Sequence, residues 1–256
     1  MADPLASLFI GAVALVAVGI PLVYLLARAL KLAPRLPALD NPQREARVAV
    51  LVTVVVVATA VPSLLFASGG TSSPTDPGMI LKVAVADAML LVPVAVAAWA
   101  TRQSWASLGL SRKALPRLVV LGLVPSALYV PSVGLMYPVA SFPGAVPLAI
   151  ALVWATMAGF SEEIAFRGYL QTRFEAAWGT GAGYALTVVV FAFAHFPGSY
   201  VLYAGDVLAA TLSALGRVGL GLLLGYYYVR SRNVVPGAIS HLFYNWALVL
   251  WQVPNA

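Results

Sequence analysis

The chain contains no cysteine, only two histidines and only nine acidic residues among 256. Without cysteine there is no disulfide, no thiolate metal site and no cysteine nucleophile. Charge is scarce altogether. Asp, Glu, Lys and Arg make up 9% of the residues, against roughly 25% in soluble domains. With 61% hydrophobic residues and a mean hydropathy of +0.92, the apolar surface exceeds what a water-soluble core can hide. The composition therefore excludes a soluble globular protein. No low-complexity tail or basic-aromatic patch is present to bind nucleic acid. No internal repeat is visible either, which weakens a transporter built from duplicated halves.

What remains is a polytopic membrane protein. A span takes about 20 residues, so this length accommodates about eight helices joined by short loops. The expected architecture is all-α, one transmembrane bundle over 1–256 with a core at about 148–251. The expected spans are Leu5–Ala27, Val48–Ala67, Met79–Ala100, Leu118–Val139, Leu148 to a turn at Trp178–Gly183, Tyr184–Phe196, Val207–Val229 and Val235 to about Trp251. After Tyr184–Phe196, Pro197-Gly198 is expected to break the helix into a loop ending near Asp206. Asp3 stands where a secretory signal would carry positive charge, so Leu5–Ala27 reads as a retained helix.

Basic residues follow the loops after spans one, three, five and seven. Eleven of the fifteen lie in those loops, Arg167 and Arg173 stand in the half of span five next to its loop, and only Lys82 and Arg217 depart from the alternation. The net charge of +6 thus reads as a topology signal, with the odd-numbered loops cytoplasmic and both termini external. Lys82 lies close enough to the outer surface to snorkel. Asp87 and Arg217 lie deeper and are expected to form a structural ion pair. Gly221-x-x-x-Gly225 offers a close-packing face for another helix, inside the chain rather than across a dimer.

Ionisable groups inside a span are costly and mark functional sites. Three fragments carry them: S-E-E-I-A-F-R at Ser161–Arg167, F-A-F-A-H at Phe191–His195 and H-L-F-Y-N at His241–Asn245. Glu163 and Arg167, four apart on one helical face, are spaced to pair. Glu162 is turned about 100° from that pair and can face the bundle as a general base. With the turn centred near Gly179, Glu163 lies sixteen residues before it and His195 sixteen after. In an antiparallel hairpin they reach nearly the same depth, at most about 24 Å from the turn. Phe191, one turn from His195, can pack on its ring. His241 and Asn245 share another helical face.

The order E-E-x-x-x-R, F-x-x-x-H and H-x-x-x-N, with Pro236-Gly237 shortly before the last histidine, resembles the type II CAAX prenyl endopeptidases. It is similar also to the related bacteriocin-processing and immunity-associated membrane proteins. The resemblance runs closely from about Gly159 to Trp246. It implies an intramembrane protease in which Glu162 and His195 activate the water that attacks a peptide carbonyl. His241 and Asn245 would steady the oxyanion, and Arg167 would orient Glu163. Glu162, His195 and His241 are also a reasonable ligand set for zinc, with water in the fourth position, and a metal-free mechanism fits the same residues. The implied partners are membrane lipid and a peptide or protein substrate, prenylated or not, reached from the cytoplasmic side. Two other functions compete: a catalytically inactive peptide-binding or immunity protein, and a proton-coupled transporter using the same glutamates and histidines as a relay. A pure binder has no need of a water-activating base, and a transporter would show repeat symmetry.

Overall fold

A computed structural model describes residues 4–32, 34–68, 77–136 and 145–252. The fold is all-helical, with no strand among the described residues. Helices α1 (Pro4–Ala14) and α2 (Ile20–Ala29) are joined by a π-helical turn at Leu15–Gly19 into one rod. Then come α3 (Pro42–Ser68), α4 (Pro77–Met89) and α5 (Leu91–Ala100). A 3₁₀ turn at Trp105–Leu108 precedes α6 (Leu115–Met136) and α7 (Ala145–Glu162). From Glu163 to Gln171 the chain winds as a π-helix, then continues as α8 (Thr172–Trp178). The remainder is α9 (Thr180–Ala194), α10 (Phe196–Leu202), α11 (Val207–Gly216), α12 (Val218–Ser231) and α13 (Val235–Gln252).

Among the described residues, four helical stretches are long and apolar enough to cross a membrane: Phe9–Ala29, Leu148–Trp178, Thr180–Val201 and Val207–Ser231. The protein is an integral membrane protein. The expected loops between Ala67 and Met79 and between Val139 and Leu148 lie mostly outside the described residues.

Two boundaries differ from the sequence expectation. The turn before α9 is one residue, Gly179, whose φ of +86° suits a residue without a Cβ. Thr180 already begins the next helix, so Gly181 and Gly183 are helical. Gly183 presses against the backbone at Phe174 and Glu175, where a side chain has no room. The second difference follows His195. Pro197 does not start a loop. It occupies the first turn of α10, where a missing N–H leaves no bond unmade, so proline begins this helix instead of ending order.

Helix α13 packs along α6 and α7, α9 packs on α8 and α12, and α3 packs on α8. The Gly221/Gly225 face is used inside the chain: Gly221 lies against Phe191 and Val188, and Gly225 against Tyr184 and Gln171. Buried charges toward the basic loops are partnered. The Arg173 guanidinium donates to the Ser107 carbonyl at 2.9 Å, lies 3.6 Å from Glu45 and stacks over Tyr169. Arg232 pairs with buried Glu175. Burying these ions unpaired would cost several kcal/mol each, so the pairs fix how α3, α8 and the Trp105–Leu108 turn meet.

Candidate active site

Three of the four membrane-length helices depart from regular α-geometry at a charged or ionisable side chain, whereas Phe9–Ala29 does so at the apolar Leu15–Gly19. In Leu148–Trp178 the change to π-winding begins at Glu163. A winding with i→i+5 bonds has more residues per turn, so successive side chains diverge less, and such segments recur at functional sites. Here it lets Glu162 and Glu163 address the same space. In Thr180–Val201, His195 sits at the junction of α9 and α10, with φ −89° and ψ −9°. In Val207–Ser231, Arg217 sits at the junction of α11 and α12, with φ −77° and ψ −8°. Irregular backbone at membrane depth is tolerated where protein surrounds it.

The two glutamates meet the two histidines. Glu162 Oε2 lies 3.8 Å from His195 Nε2 and 4.0 Å from His241 Nε2. The other nitrogen of His241, Nδ1, is 3.4 Å from Glu163 Oε1. That same oxygen accepts a 2.7 Å bond from Arg167 Nη1, as the i, i+4 spacing anticipates. Arg167 Nη2 also donates to the Gly221 carbonyl at 3.3 Å. Glu163 and Arg167 are each only 1% exposed. Glu162 Oε2 is buried and has no direct hydrogen-bond partner among the described residues.

Phe191 organises the rings. His195 stands 4.7 Å from it, centroid to centroid, and His241 stands 6.1 Å away. The Arg167 guanidinium lies 4.2 Å above the Phe191 ring, a cation–π contact that holds the arginine from the side opposite its carboxylate. His195 Nδ1 is 2.7 Å from the Phe191 carbonyl. A carbonyl can only accept, so Nδ1 carries the proton, and in the neutral ring Nε2 presents a lone pair toward Glu162. Gly237 passes so close to the glutamates that a Cβ there would stand 2.6 Å from Glu163 Oε2.

Asn245 lies one turn beyond His241 on α13, about nine-tenths buried. Among the described residues, none of the site's hydrogen bonds ends on it. The structure thus brings together Glu162, Glu163, Arg167, His195 and His241, with Asn245 on the adjoining turn.

The sequence reading missed two features. His241 approaches both glutamates, where it was expected to act with Asn245 or beside Glu162 and His195 alone. Arg217 lies near the site: its Nη1 donates to Ser213 O and Ser213 Oγ at 3.0 Å each and to Ser199 Oγ at 3.4 Å. It also acts electrostatically on Glu162 and His195. The expected partner, Asp87, has a side chain outside the described residues. Asp206 has a local task, capping α11 by accepting from Ala209 N.

Zinc can be tested against the donor set. The chemistry of two imidazole nitrogens and one carboxylate oxygen suits that ion. The spacing does not: zinc bonds of 2.0–2.2 Å in a tetrahedron place neighbouring donors about 3.4 Å apart, whereas Glu162 Oε2 is 3.8 and 4.0 Å from the two nitrogens. Among the described residues no group of three His, Asp or Glu side chains is arranged to hold a metal.

Residues 144–247, which contain all six side chains, match the family model described as type II CAAX prenyl endopeptidase Rce1-like. No curated protein and no solved structure gives a match to the chain.

Proposed function

We propose that this chain, which over residues 144–247 is of the Rce1-like type II CAAX prenyl endopeptidase family, hydrolyses a peptide bond of a membrane-associated substrate with water activated by Glu162. The observation that carries this reading is the space between Glu162 Oε2 and His195 Nε2, two acceptors 3.8 Å apart. A water placed there gives one proton to each acceptor and turns a lone pair outward. Glu162 takes a proton as the water oxygen attacks the carbonyl carbon. Asn245 and His241, the latter as an imidazolium with Nδ1 toward Glu163, are the donors assigned to the carbonyl oxygen as it becomes negative, and fixed donors in a dry site are worth about 3–4 kcal/mol each. As the C–N bond breaks, Glu162 returns the proton to the departing amine. Arg167 neutralises Glu163, and that pair faces His241, whose Nδ1 lies 3.4 Å from the carboxylate. The catalytic core is about 148–251, and both prenylated and unprenylated peptides belong in the first substrate set.

Cleavage is expected to persist after prolonged chelation, with zinc well below one per chain by elemental analysis. One zinc per chain, with activity lost on chelation and restored by adding the ion, would overturn the metal-free form of this mechanism. His195→Ala and His241→Ala are both expected to abolish cleavage in protein that remains folded.

The basic alternation places the hairpin at Gly179 on the cytoplasmic side. Arg173 is fully buried, so the position for testing this is Gly181, where an added Cβ meets nothing within 4 Å. A Gly181→Cys protein should react with an impermeant thiol reagent only when cells are opened. Labelling from outside intact cells would invert the topology.

A further inference from the structure

Arg217 has no task in the chemistry above, yet its setting is built for a ligand. It sits in the interruption between α11 and α12, inside a stretch apolar enough to span the membrane. Two buried serines hold one end of its guanidinium: Ser199 donates to Ser213 at 3.0 Å, and both hydroxyls accept from Arg217 Nη1. These contacts tie it to the site. Ser199 N bonds the His195 carbonyl, so the anchor is one turn beyond His195. Gly221 N bonds the Arg217 carbonyl, and the Gly221 carbonyl accepts from Arg167.

Among the described residues, the hydrogen bonds of this guanidinium use Nη1. Among the described residues no carboxylate lies within ion-pair distance of Arg217, whereas Arg167, Arg173 and Arg232 each have one. The nearby groups are Tyr244, Glu162 and Tyr203. A guanidinium in a water-poor site is favourable when its planar fork meets an anion, and a carboxylate matches the fork with two parallel bonds.

We propose that Arg217 is a specificity-determining residue that binds a carboxylate of the substrate peptide and so selects which peptides the site holds. The carboxylate is either the peptide's terminal α-carboxylate or an acidic side chain. The assignment rests on the endopeptidase reading for what enters the site, but its test is binding. Three lipid-anchored fluorescent peptides are compared on Glu162→Gln protein in lipid: one ending in a free carboxylate, one ending in an amide, and one amidated but carrying an internal glutamate.

At least one carboxylate peptide is expected to bind about 10- to 100-fold tighter than the neutral one, as charged hydrogen bonds allow. Which one prefers the site identifies the source of the carboxylate. Adding Arg217→Gln should bring the ratio near one, and Arg217→Lys should keep part of it. Equal binding of all three peptides, or a preference that survives Arg217→Gln, overturns the assignment. Should Arg217→Gln not fold, the Ser199→Ala, Ser213→Ala double variant keeps the charge but leaves Nη1 only its bond to the Ser213 carbonyl. An unchanged ratio there overturns the assignment equally. A binding preference without cleavage of any peptide by the wild type would strike the endopeptidase reading and leave the carboxylate site standing.

Discussion

Glu162→Gln is expected to lower the rate of peptide cleavage by roughly a hundred- to ten-thousand-fold, the range that a positioned general base contributes. The substitution keeps the side chain's size and removes only its capacity to take a proton. It should not cost stability. Glu162 Oε2 is buried without a direct partner among the described residues, and its closest basic nitrogens are 3.8 and 4.0 Å away. A neutral amide in that place is no harder to bury than a carboxylate. The variant therefore separates chemistry from folding: thermal unfolding in the same lipid should be unchanged or slightly raised while turnover falls away. Turnover equal to that of the wild type would remove Glu162 from the mechanism.

The second large effect concerns stability. Arg167→Met strands Glu163 at 1% exposure, opposite an ion-pair contact that measured 2.7 Å. Breaking a buried pair from one side costs about 3–5 kcal/mol, because the remaining charge is left uncompensated. The arginine's place above Phe191 and its bond to the Gly221 carbonyl are lost as well. Glu163→Gln alone should also destabilise, by stranding the guanidinium. The double variant Glu163→Gln, Arg167→Met should recover much of the loss, since replacing both charges removes the penalty that either one leaves behind. A thermodynamic cycle over the four proteins isolates the coupling. Additive losses with no recovery would show that the pair is not a unit. Activity should not recover with stability, because His241 Nδ1 would have lost its carboxylate 3.4 Å away.

Much of this arrangement was legible in the residues, because it follows from helical periodicity. The Glu163–Arg167 bond follows from a spacing of four, and the hairpin arithmetic about Gly179 brought Glu163 and His195 to a common depth. The structure joins His195 to Glu162, the pair that the resemblance implied, one residue earlier than the hairpin arithmetic alone gave. The π-winding at Glu163–Gln171 was not foreseen, because the residue pattern does not distinguish i→i+5 from i→i+4 winding. Phe191 against His195 was readable for the same reason as the ion pair, being one turn away on the same helix.

Contacts between distant helices were not readable. The approach of His241 to both glutamates depends on α13 packing along α7 and on the missing side chain at Gly237, which leaves room for Glu163. The serine pair that holds Arg217 comes from two short helices, α10 and α11. One of them was expected to be a loop because proline was read only as a helix breaker. A charge deep in an apolar segment invited pairing with the other such charge, Asp87. Two serines fourteen residues apart carry no pattern that would have suggested them as the partner.

The central claim is that this protein hydrolyses a peptide bond with water activated at Glu162. The most direct test is to incubate the purified protein in lipid with prenylated and unprenylated peptides and weigh the products. Two fragments whose masses sum to the substrate plus one water, formed by the wild type and not by Glu162→Gln, are the predicted result. Fragments formed equally by both proteins, or no fragment from any lipid-anchored peptide in a wide substrate set, would contradict it.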